Sequence, residues 1–277
     1  RLAGSMGYAY RQVESPTGEK QERLLDAGEN PPSGAIVHYW LREAPAGDIT
    51  LAFLDAGGHE IRSFTSRGPD VARDSVAAGA SDDEPRPTKD AGANRFVWNL
   101  RGPDATKLPD NKGRGGTVEM LAGPRMPPGS YQVRLTVGGR TLTQPFQVVK
   151  DPRVQATDEA LREQFAWAKK AHDLLIRVHD AVLMLRDVRA QAATWASRVE
   201  TAGIKEAAAA LARTLTSIED ELVQVRSENP RMFPSKLNSR IATILPLIEY
   251  SDAAPTQALR ELTESLALRS GVELAKL

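Results

Sequence analysis

The stretch PPGSYQVRLTVGGRTLTQPFQVVKDPR, Pro127 to Arg153, decides how this chain is read. Tyr131, Val133, Leu135 and Val137 point one way, and Gln132, Arg134 and Thr136 the other. That period of two is the mark of a half-buried strand. Gly138-Gly139 supplies the positive φ angles of a two-residue hairpin turn. The return strand carries Leu142, Phe146 and Val148 on one parity. Pro145 donates nothing to a ladder, which predicts an edge strand or a bulge. Directly afterwards Asp151-Pro152-Arg153 leads into a helical pattern with no flexible linker between them.

Upstream of this hairpin the pattern is that of strands. AIVHYWL (Ala35 to Leu41) is rich in β-branched and aromatic residues and predicts a buried strand. Ile49, Leu51 and Phe53 share a face, and Asp55-Ala56-Gly57-Gly58 turns the chain into His59 to Thr65, a second hairpin. Phe96, Trp98 and Leu100 share a parity, with Trp98 the candidate core centre. Thr117 to Leu121 is expected as a short strand. Residues 1–30 hold no sustained period and are expected as an irregular arm. Ser66 to Ala93, built of Asp, Ala, Pro, Ser and Gly, is expected as a mobile surface excursion. Strands separated by turns and lacking crossover helices predict an antiparallel β-sandwich of immunoglobulin or fibronectin type III character over 31–150.

Downstream the period changes. Thr157 is a helix N-cap with Asp158 and Glu159 in the first turn. The helix runs to about Glu200, with Leu161, Phe165, Ala168, His172, Leu175, His179 and Val182 recurring at four and three. Gly203 is expected to break it. Ile204, Ala208, Leu211, Leu215, Ile218, Leu222 and Val225 then form the cleanest heptad in the chain. Ser235 is expected to cap a third helix, which Pro246 should kink or shorten. Thr256 opens a fourth with Leu259, Leu262 and Leu266. Short connections predict an antiparallel, up-down helical bundle over 155–277.

Composition narrows the function classes. The 277 residues hold 36 Lys and Arg against 36 Asp and Glu. That balance argues against a bulk electrostatic role with nucleic acid or anionic membrane. There is no cysteine, hence no disulfide framework and no thiol chemistry. No apolar run approaches the roughly 18 residues of a membrane span. The chain starts at Arg1 without a signal-peptide pattern, which reads as a fragment or a processed product.

AGANRFVWNLRGP (Ala91 to Pro103) and MPPGSYQVRLTVGGRTLTQPFQVVKDPRV (Met126 to Val154) resemble the region that follows the β-propeller in large bacterial sortilin-like or sialidase-like BNR-repeat proteins. AIVHYWLREAPAGDITLAFLDAGGHEIRSF (Ala35 to Phe64) is similar to the opening strands of that module. FPSKLNSRIATI (Phe233 to Ile244) and DAAPTQALRELTESL (Asp252 to Leu266) are similar to its helical tail. The resemblance implies an exported protein of a group classed with the glycosyl hydrolases. In that family the propeller carries any glycosidase-like site, so no catalytic position maps onto this chain. The implied partner is a β-propeller, of the same parent protein or of another.

No residue set specifies chemistry. His172 and His179 lie seven apart on one helix face, roughly 10 Å, too far to share a metal without other ligands; they read as polar core or boundary residues. Asp82-Asp83-Glu84 lacks the spaced ligands of a calcium loop and reads as a solvated charge run. Gly113-Arg114-Gly115-Gly116 lacks a Walker lysine and reads as a loop. No cofactor is expected, and no metal site. Tyr39 and Trp40, with Trp98 and Tyr131, are either core or a carbohydrate-stacking face. Trp167 should point partly away from the inward face set by Phe165 and Ala168; Phe165, Trp167 and Trp195 are the interface candidates, the first two against the sandwich. The expected function is that of a non-catalytic accessory region that braces a propeller or presents a partner-binding surface. The alternative is a carbohydrate-binding module.

Overall fold

The computed structural model describes residues 10–14, 20–24, 32–67, 84–109, 111, 118–225 and 234–277. Strands β1 (Tyr10–Glu14) and β2 (Lys20–Leu24) pair antiparallel. The expected irregular arm therefore contains a hairpin, held by backbone hydrogen bonds that leave no hydrophobic period in the sequence. Strands β3 (Ala35–Leu41) and β6 (Gly92–Trp98) pair antiparallel as a two-stranded sheet. Strands β4 (Ile49–Leu54), β5 (Glu60–Thr65), β7 (Gly129–Val137) and β8 (Arg140–Val148) form a four-stranded antiparallel sheet in the order β5-β4-β7-β8.

The β7–β8 hairpin turns at Gly138 and Gly139, both at positive φ, as the diglycine predicts. Strand β8 is the sheet edge, and Pro145 sits opposite Gln132 in unbroken register. The inward parity holds for Tyr131, Phe146 and Val148, but Leu142 is 70 % exposed, because it lies near the turn, beyond the aromatic cluster. Alternation also corrects the reading of β3. Ala35, Val37 and Tyr39 turn inward while Ile36 and Trp40 are exposed, so the strand is buried on one face only.

The two sheets share one apolar cluster. Leu51, Phe53 and Phe64 from the larger sheet meet Phe96 and Trp98 from the smaller, with Tyr131 and Phe146 closing one side. Trp98 is fully buried and lies nearly flat on Phe53 at 4.4 Å between ring centroids. Its indole N–H donates to the Arg101 carbonyl at 3.0 Å.

Residues 68–83 of the expected excursion lie outside the described residues, Asp82 and Asp83 among them. Residues 84–91 are anchored against the sheets. The Arg62 guanidinium donates to Glu84 at 2.8 Å, the Tyr39 hydroxyl donates to the Thr88 carbonyl, and Lys89 Nζ donates to the Gly47 carbonyl. Gly92 already begins β6.

Val118–Leu121 forms a single helical turn, α1, where a strand was expected. The long helix α2 (Asp158–Arg198) starts at Thr157, whose hydroxyl accepts from Ala160 N–H at 3.1 Å. The chain then turns at Val199–Thr201, so Gly203 lies inside α3 (Ala202–Leu222) and does not break the helix. Helix α4 (Leu237–Ile248) starts at Lys236 without a side-chain cap; the Ser235 carbonyl instead accepts from Arg240. Pro246 falls in its last turn. Thr256 caps α5 (Gln257–Leu274) as expected. On α5 the buried positions are Thr263, Leu266 and Ser270, and Leu262 faces solvent. Two small polar residues take seam positions that the leucine pattern hid.

The second apolar cluster joins α2, α3, α4 and α5. It also takes in Ala105, Leu108 and Leu121, which the sequence reading places in the sheet domain. The chain is thus a mixed β and α fold whose two cores share a connecting segment.

Candidate functional site at the sheet–helix junction

The junction is built from the segment between β6 and β7. Leu100 holds a positive φ of 59°, a conformation that costs a non-glycine residue on the order of 1 kcal/mol. It is kept there by backbone pairing across the neck. Met126 N–H donates to the Leu100 carbonyl at 2.7 Å, Gly102 N–H donates to Pro124 O at 3.0 Å, and Arg101 bridges to Arg125. The excursion from 102 to 124 therefore leaves and re-enters the sheets at one neck.

Its near side is tied to the sheet by Arg62. That guanidinium, only 10 % exposed, contacts Asp104 at 3.0 Å, Glu84 at 2.8 Å and the Gly102 carbonyl at 2.8 Å. A buried cation demands this full set of acceptors. Asp104 in turn accepts from Gly123 N–H. A Cβ on Gly123 would stand 2.4 Å from the carbonyl oxygens of Gly102 and Pro103, so the two limbs pack backbone to backbone.

The far side is tied to α2. His179 Nδ1 lies 2.6 Å from the Thr106 carbonyl, the Thr106 hydroxyl donates to Asp180 at 3.0 Å, and Arg186 donates to the Pro109 carbonyl at 2.7 Å. His172 makes the matching bond to the backbone of Leu121. The two histidines are thus latches for one loop. Each ring carries its proton on the nitrogen facing a carbonyl, and each Nε2 is buried without a partner. Burial lowers the pKa of both, partly offset by those backbone bonds. Among the described residues no group of three or more His, Cys, Asp or Glu side chains lies close enough to hold a metal ion.

A third tie runs from α4. Glu249, just past its last turn, receives Arg101 at 2.8 Å and Arg125 N–H at 2.7 Å. Gln164 of α2 donates to the Ile248 carbonyl at 2.8 Å. Between these ties a cleft of about 290 Å³ opens, with Pro127 and Val148 on the sheet side and Leu161, Phe165 and Ala168 on the helix side. Glu249, Asp252 and Arg125 stand among its polar lining. Asp151 stands at its rim, where hydrogen bonds from Arg153 lower its carboxyl to about 2. Apolar walls with a few polar groups suit a small ligand or a partner's side chain. The carboxylate of Glu249 is already committed to Arg101, which leaves it poorly placed for acid–base work.

The interface candidates separate. Phe165 lines the cleft. Trp167 does not reach the sheets. It packs on the helical core with the Lys170 ammonium 4.4 Å from its ring centre. Trp195 is 66 % exposed near the far end of α2. Tyr39 and Trp40 stand on opposite faces of β3, so no two-aromatic platform forms. Tyr39 is half-buried over the sheet core, and Trp40 is 67 % exposed on the outer face. Gly113 to Gly116 lie outside the described residues. Sequence reading missed the latches themselves, because carbonyls that accept from His172 and His179 leave no trace in residue type. The seven-residue spacing of the histidines was the available signal. Among the described residues no helix is long and apolar enough to cross a membrane. Comparison with known proteins finds no match, whether to a family model, a curated protein or a solved structure.

Proposed function

We propose that this chain is a non-catalytic accessory region of a larger exported protein, an immunoglobulin-like sandwich and a helical bundle, with α5 parallel to α2 and so not in the alternating up-down order, that brace a β-propeller or present a surface to a partner. The supporting observation is the 101–125 segment, which enters the sheet core at its neck and the helical core at Ala105, Leu108 and Leu121. A brace needs its halves held at one angle, and a shared segment does that better than a linker. The resemblance to the region after the propeller in BNR-repeat proteins supplies the expected partner and the expected export. Calorimetric titration with a recombinant β-propeller of that family tests the reading, with saturable binding expected. No turnover of sialosides or common glycosides is expected. Turnover that vanished in Glu249→Gln or Asp252→Asn, the acids at the cleft, would overturn the assignment.

One observation favours a second reading, a carbohydrate-binding face. Trp40 is exposed on the outer face of β3, beside the β6 residue Ala93 and two pairs away from Arg95. An open indole next to hydrogen-bonding groups suits a sugar ring. Glycan-array binding that is lost in Trp40→Ala would establish it.

A further inference from the structure

We propose that the outer half of the α2–α3 hairpin is a self-association surface, on which a second copy of this chain packs to complete a four-helix arrangement. The heptad stripe of α3 is continuous in sequence but is buried over only half its length. Leu215, Ile218 and Leu222 are core residues, whereas Ile204 and Leu211 on the same repeat are 47 % and 41 % exposed. Val188 and Trp195, seven apart on α2, are exposed in the same half.

The cause lies in where the neighbouring helices stop. Helix α5 runs alongside α2 in the same direction, since Arg260 pairs with Glu163 and Lys170 with Glu264. Its last turn lies beside Arg213 and Ser217 of α3, where Glu273 and Lys276 share a groove with them. Past that point, among the described residues, α2 and α3 have only each other. The stripe that α4 and α5 cover below continues uncovered above, so the surface is the extension of an existing interface.

Three features select a second copy as the occupant. First, the contact between the two arm helices is lined by the half-buried alanines Ala192, Ala196, Ala208 and Ala212. Small side chains bring the axes close, toward the roughly 8 Å limit for helix pairs, and leave a shallow face two helices wide. Such a face matches another like it, as in a four-helix bundle, better than it matches one inserted helix. Second, the arm's charges nearly balance. Arg186, Arg189, Arg198, Lys205 and Arg213 stand against Asp187, Glu200, Glu206 and the Glu219 that holds both Arg186 and Arg189, leaving one net positive charge. A two-fold pairing sets like face on like face, which a balanced face permits and a charged one resists. Third, the size fits a weak dimer. The arm's free length of about 20 Å and its two-helix width bury roughly 800 Å² in total, the range of reversible association.

Sedimentation equilibrium of the full chain over about 1–500 µM tests this, a range chosen for a Kd on the order of 10–100 µM. The weight-average mass is expected to rise from the 30.1 kDa of the monomer towards twice that value. Trp195→Ser and Leu211→Ser, both at exposed positions, should hold the chain at monomer mass while helical circular dichroism and melting at 1 µM stay unchanged. A wild-type mass that stays at the monomer value throughout overturns the proposal. So does self-association of normal strength in the double variant.

Discussion

The Trp98 indole is enclosed on every side, flat against Phe53 and bonded through its N–H to Arg101. Trp98→Ala empties that site and strands the Arg101 carbonyl; a loss of about 3–5 kcal/mol in denaturant melts is expected. Its position was legible because parity in NRFVWNL and bulk point the same way. The histidine latches were not legible, since a buried polar side chain is defined by its acceptor. Their chemistry yields a pH dependence. Both rings hold a proton less readily in the folded chain than in the unfolded one, because burial penalises the charged form. Asp180 faces His179, while Asp173, Asp104 and Lys169 act on His172. Below about pH 6.5, where a free histidine charges, the unfolded state takes up more protons and stability falls as the pH drops. Urea melts at pH 7.5 and pH 5 are expected to show this loss, and His172→Asn with His179→Asn to flatten it.

At the scale of single elements, regular periods were readable and short-range backbone pairing was not. The β7–β8 hairpin follows from alternation and Gly138-Gly139, and α2 from its apolar recurrence and cap. Thr157→Ala removes the acceptor for Ala160 N–H and should cost about 1 kcal/mol, while Thr157→Asp should restore it; thermal melts decide. Strand β3 is pinned by Gly34, whose φ is 141° and whose missing Cβ would sit 2.1 Å from the Trp98 carbonyl oxygen. Gly34→Ala is therefore expected to lower the melting temperature by several degrees, because the strand must shift away from β6. The β1–β2 hairpin and the α1 turn escaped the sequence because neither carries an apolar period. Helix α5 was read one position off along its seam, at Leu262, because Thr263 fills the seam with its hydroxyl bonded back to the Leu259 carbonyl.

Across the whole molecule, Glu249, Arg62 and the two histidines make the sheets and helices one mechanical body. A single cooperative transition is expected, with helix circular dichroism and loss of the Trp98 indole resonance superimposing in urea. Glu249→Ala leaves Arg101 half-buried without its carboxylate and is expected to pull those two curves apart. The sequence places a division near residue 150 because the period changes there. The segment that disobeys that division lies 25 to 50 residues earlier, in a stretch whose composition reads as loop. Its ownership by both cores limits how such a protein can be rearranged over generations. A recombination at Lys150 would deliver helices with a hole where Ala105, Leu108 and Leu121 belong, and sheets trailing an apolar strap. Neither half could be passed on alone, so the two are bound to be inherited, duplicated and transplanted as a single cassette.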